Sequence, residues 1–137
     1  MYTKIVPLKI PGSWAVIYNS FGDEEPIVLD GVIVNNEFYK QDLLSIERIQ
    51  YSEKGWVTYP NSYIVDLGWY PDSDPKGSYH FTLLRGNWDN VVVQFESKDR
   101  QKIRAVIERC FALVMQGVKE QDISRWIELE YPSSQIN

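Results

Sequence analysis

Between residues 62 and 97 the chain alternates. Tyr63, Val65, Leu67 and Trp69 share one parity in SYIVDLGWY. Tyr79, Phe81 and Leu83 do so in SYHFTLLR, and Val91, Val93 and Phe95 in VVVQFES. A period of two with one apolar face predicts a half-buried antiparallel sheet. Upstream, WAVIYNSF (residues 14–21) sets Trp14, Val16 and Tyr18 against Ala15, Ile17 and Asn19, and IVLDGVIV (27–34) is rich in β-branched residues. Both read as strands. YKQDLLSIERIQY reads as a short helical turn over 38–41 leading into a strand from Leu43.

After residue 98 the spacing changes. Ile103, Val106, Ile107, Cys110, Phe111, Val114 and Met115 recur at intervals of three and four, the mark of an amphipathic helix over 99–116. Ser97 or Asp99 can cap its first turn, and Gly117 suits its end. Arg100, Lys102, Arg104 and Arg109 lie off the apolar stripe. EQDISRWIELE groups Ile123, Trp126 and Ile127 on a second helical piece. Strands first and helices last predict an α+β domain: a curved antiparallel sheet of about five or six strands with C-terminal helix packed on one face. Pro and Gly mark turns at 11–12, 22–26, 60, 71–77 and 86–90. With no composition shift, repeat or low-complexity segment, residues 1–137 are expected to form a single domain.

Charge narrows the partners. The net charge of −5 divides into −6 over residues 1–97 (seven basic, thirteen acidic) and +1 over 98–137 (seven basic, six acidic). An acidic surface repels nucleic acid and anionic membrane and attracts basic proteins. The single cysteine, Cys110, allows no internal disulfide and no thiolate metal cage. The opening MYTKIVPLKIPGSW has no apolar run of signal-peptide type, and CFALVM is far too short to span a bilayer, so a cytoplasmic protein is expected.

The stretch VDLGWYPDSDPKGSYHF concentrates the candidate chemistry. Trp69 shares the apolar parity and reads as core, whereas Tyr70 has the other parity and reads as exposed. Asp72, Asp74 and Gly77 imitate the start of a calcium loop, but Lys76 and Leu83 stand where further oxygen ligands are required, so the loop reads as a stiff turn. Pro71 and Pro75 restrict it, and Gly77 is expected to supply a positive φ. Trp88, between Asn87 and Asp89, fits a hairpin turn as either a lid or an anchor. A second acidic loop, GDEEP (22–26), reads as a solvated turn or an electrostatic contact for a basic protein.

His80 and Asp66 both face away from the apolar set, so suitable register would bring them together as an acid–base pair. No nucleophile, phosphate-binding or metal-ligand motif accompanies them, and no cofactor, metal or enzymatic activity is expected. Preorganised acidic loops beside aromatic residues suit recognition. Charge and exposure select Asp23, Glu24, Glu25, Tyr70, Asp72 and Asp74 as the partner-binding residues.

KQDLLSIERI, YIVDLGWYPDSDPKGSYHFTLL and NWDNVVVQFESKDRQKIRAVIE together resemble the small immunity proteins of bacterial contact-dependent growth inhibition and related polymorphic toxin systems. The resemblance spans about residues 40–110 and centres on D-x-GWYP, a Gly-Tyr hairpin, a Trp turn and FESKD opening a helix. It implies a cytoplasmic protein that binds a toxin's C-terminal domain, often a nuclease with a basic cleft, and acts by occlusion. It implies no particular contact residues. Two alternatives are an adaptor or structural subunit using an exposed sheet edge, and a hydrolase built on Asp66 and His80.

Overall fold

The computed structural model describes residues 4–58 and 61–132. The break expected at Pro60 lies outside the described residues. The chain is α+β. Five strands form one antiparallel sheet: β1 (Trp14–Asn19), β4 (Leu44–Arg48), β7 (Tyr63–Tyr70), β8 (Ser78–Arg85) and β9 (Asn87–Ser97), in the order β1-β4-β7-β8-β9. Two small hairpins stand outside it, β2 (Val28–Leu29) with β3 (Val32–Ile33), and β5 (Gln50–Ser52) with β6 (Gly55–Val57). The helices α1 (Arg100–Met115) and α2 (Glu120–Glu130) follow the last strand.

Register fixes the two faces. One face stacks Val16, Ile46, Val65, Leu83 and Val93 in a row, with Leu44, Leu67, Phe81 and Phe95 in the next. Apart from Val16, which is exposed on the edge strand β1, these rows meet Ile103, Val106, Ile107, Cys110 and Phe111 of α1 and Ile123 and Ile127 of α2 in one hydrophobic core. Asp99 caps α1 by accepting from the amides of Gln101 and Lys102, and Gly117, at φ +79°, follows its last turn. Cys110 is sealed inside this core, where burial pushes its thiol pKa up.

Four details differ from expectation. The 27–34 run is a hairpin, turned at Asp30 and Gly31 with φ of 52° and 78°, and not one strand. A bulge between Val16 and Tyr18 breaks the alternation of β1, so Tyr18 pairs with Ser45 and joins the face away from the core. In α1, Leu113 is buried and Met115 exposed, because the helix is flanked by both the sheet and α2 and its buried arc is wider than one stripe. In α2, Trp126 points to solvent, leaving Ile123 and Ile127 as its core anchors. No helix among the described residues is long and apolar enough to cross a membrane.

Candidate functional site

The face away from the helices carries the unusual chemistry. Its rows run Ala15, Glu47, Ile64 and Leu84, then Tyr18, Ser45, Asp66, Thr82 and Gln94. His80 pairs with both Gly68 and Glu96, and Tyr70 pairs with Ser78. These outward positions hold Glu47, Asp66 and Glu96 and neither lysine nor arginine. The arginines sit on the other side of the molecule, in α1, in α2 and at the core-facing margin of β4 and β8.

A fourth carboxylate is brought over this face by a backbone crossing. Leu43 donates its amide to Leu67 and Trp69 donates to Lys40, so Gln41 and Asp42 are looped out between two ladder bonds. The loop lies directly on Gly68, where a Cβ would overlap the Gln41 carbonyl oxygen. Only glycine permits that approach. The crossing sets Asp42 near Asp66. Burial, with the Asp42 charge added, pushes the Asp66 carboxyl up to about 6. Tyr18 and Tyr70 flank the pair, and both phenols are raised by burial and by the charges of Asp42 and Asp66.

Asp66 and His80 do share this face, as neighbours on adjacent strands. They are offset by one outward position, since Asp66 lies opposite Thr82. The His80 Nδ1 approaches Glu96 at 3.6 Å, and its ring packs edge-on against Tyr70 with centroids 5.1 Å apart. Among the described residues no hydrogen bond joins Asp66 to His80, and no group of three or more metal-ligating side chains converges.

The loop after β7 is built around Trp69. The indole is 3% exposed, packs edge-on against Tyr39 and Tyr79, and donates from Nε1 to the Asp74 carbonyl at 2.8 Å. The positive φ falls on Ser73, at 58°, and not on Gly77. Gly77 serves close packing instead, because a Cβ there would lie 2.6 Å from the Trp69 Nε1. The loop's acids act largely within it. Asp74 Oδ1 accepts from the Lys76 amide at 2.8 Å, and Asp72 accepts from the Ser73 hydroxyl at 2.8 Å and lies 3.8 Å from the Lys40 ammonium. Tyr70 sits at the junction of this loop and the acidic face, half-buried.

The 22–26 loop lies elsewhere. Arg100, at the start of α1, pairs with Asp23 at 3.4 Å and with Glu25 at 3.0 Å, and also donates to the Glu24 carbonyl at 3.0 Å. The Tyr39 hydroxyl donates to the same carbonyl. Asp23, Glu24 and Glu25 therefore clamp a loop to the helix start. Trp88 is 57% exposed at the beginning of β9 and is not a lid over the core.

Of the six residues chosen from sequence, only Tyr70 borders the acidic face. Sequence reasoning missed Asp42, Glu47 and Glu96, and treated Asp66 only as a partner for His80. The alternation that turned Asp66 and Glu96 outward was readable, as was the want of lysine and arginine at those positions. The Asp42 crossing had no local signal except Gly68. Searches of protein-family models, curated proteins and solved structures found no match to this chain.

Proposed function

We propose that this chain is a binding protein of the immunity type, which neutralises a bacterial toxin domain by covering its basic active-site surface, without catalysis and in the cytoplasm. The observation that supports this reading is the sheet face just described, where Asp42, Glu47, Asp66 and Glu96 stand with no outward lysine or arginine on the five strands. Charge of one sign on a rigid sheet steers an oppositely charged partner and sets its orientation. Tyr18, Tyr70 and His80 add the amphipathic surface that protein interfaces favour. Asp66 also holds its charge at a cost in the free protein, next to Asp42. A partner lysine or arginine placed between them removes that cost, so binding draws on energy already stored in the fold.

The test is rescue. Cells producing the toxin domain encoded beside this chain should survive when the chain is co-expressed, and the purified pair should associate more slowly as salt is added. Cells that die despite soluble chain, together with no measurable complex, would remove the reading.

A further inference from the structure

The acidic face leaves the far edge of the sheet unexplained. Among the described residues β9 is the edge strand of the sheet and pairs with β8 alone. Beside its free edge lies α2, and between them runs a groove of about 480 Å³, continued toward Glu120 by a shallower one of about 250 Å³. Five consecutive β9 residues, 91–95, line the larger groove. Successive strand side chains point to opposite faces, so a surface that touches five in a row is touching the strand's edge and its backbone. The opposite wall is one stripe of helix, with Glu120, Ser124 and Glu128 four residues apart. Beneath the groove Val92, Val93, Phe95 and Ile127 are buried in the core, and only Val91 is exposed, so the surface the groove offers is more polar than apolar, as an uncovered strand backbone would make it. The charged side chains of the walls are both acidic: Glu120, which pairs with Arg85, and Glu128.

We propose that this groove is a strand-addition site for an extended segment of a partner protein in which apolar and basic side chains alternate. The edge of β9 offers a row of backbone donors and acceptors, and five residues of strand span about 16 Å, enough for a matching length of extended chain. The backbone of the incoming segment meets the edge of β9, its apolar side chains meet Val91, and its basic ones meet Glu128, since Glu120 already has Arg85. Charge selects against a second copy of this chain, because its own β9 carries Asp89 and Glu96. The inference stands apart from the acidic-face reading, since the groove lies at a different edge of the molecule.

The experiment titrates the full ¹⁵N-labelled chain with an N-acetylated peptide alternating lysine and valine. It is repeated with a glutamate–valine peptide and with the lysine peptide methylated on its backbone nitrogens. Saturable shifts at the amides of residues 90–96 and of α2 are expected. Binding should weaken by about tenfold for the glutamate peptide, from the charge reversal, and by at least as much for the methylated one. Ser124→Trp should fill the groove and abolish the shifts. Should that variant fail to fold, Glu128→Lys at an exposed position should invert the preference between the two charged peptides. Four results would overturn the proposal: equal binding of both peptides, shifts confined to the outward face around Asp66, no saturable shift at β9, or pairing of β9 with a second copy or with the chain's own C-terminal residues. Shifts around Asp66 alone would leave the acidic-face reading standing while removing the groove.

Discussion

The 22–26 loop and the outward sheet face carry similar numbers of carboxylates and use them in opposite ways. In the loop, Asp23 and Glu25 converge on Arg100, whose side chain is only 15% exposed. On the sheet, Asp66 has Asp42 for a neighbour, and burial, with that charge added, pushes the Asp66 carboxyl up to about 6. The loop's charge is satisfied by folding and fastens residues far apart in sequence. On the face no lysine or arginine answers the carboxylates, and the fold bears the cost at Asp66. Acid content alone does not locate an interface; a carboxylate without a cation of its own is the better guide.

Four experiments probe this contrast. The largest effect is expected from Gly68→Ala, which drives a methyl into the Gln41 carbonyl. Denaturant unfolding should show a loss of about 3 kcal/mol or more, because backbone and not a flexible side chain must move. Displacing the crossing also separates Asp42 from Asp66, so the Asp66 carboxyl should titrate lower in any fraction that folds. Next comes Arg100→Met. Stranding Asp23 and the Glu24 carbonyl should cost about 2 kcal/mol, read in the same unfolding experiment. A cost near zero would mean that the loop's acids are as unsatisfied as those of the face.

The third probe concerns association. Glu47→Lys with Glu96→Lys on the sheet should slow capture of the proposed toxin partner about tenfold at low salt. Glu25→Lys in the loop should change it far less, and surface plasmon resonance across a salt series separates the two. The reverse ranking would move the interface to the 22–26 loop. The smallest effect is that of Asp66→Asn. A carboxyl whose pKa is higher in the folded state than in the unfolded chain favours folding at low pH, and that contribution is lost as pH rises through about 6. Removing the charge should therefore stabilise the protein at pH 7 by about 1 kcal/mol, after allowance for partial solvent screening. The gain should vanish by about pH 4, where the wild-type carboxyl is protonated in the folded chain. Melting temperatures of both proteins across that range test it.

Much of the fold was legible because several of its longer elements keep their period. β7 and β8 alternate over most of their length, and α1 keeps its stripe and its Asp99 cap. β9 alternates only from Val93 to Glu96: register shifts around Leu84 pair Val91 with the outward row, so Val91 is exposed and Val92 buried, against the parity expected from sequence. β1 misled because one bulge shifts Tyr18 to the other face, and nothing within six residues announces it. The β5–β6 hairpin escaped notice because its alternation is too brief to show. The candidate site was harder to read. Arg100 reaches Asp23 and Glu25 across more than seventy positions. Asp42 meets Asp66 only because the backbone at 40–43 lies across β7. Proximity of that kind is set by tertiary register and leaves no mark in a local window.

The sealed thiol of Cys110 gives this molecule a clock of its own. A sulfhydryl reagent added to the native protein can reach that sulfur only when α1 parts from the sheet, since the side chain has 0% exposure and sits at the centre of the packed layer. The chain has no other cysteine to blur the signal. The labelling rate under native conditions therefore times the opening of the layer that supports both the acidic face and the groove at β9. A bound partner should lengthen that interval only as far as it grips the folded state more tightly than the opened one.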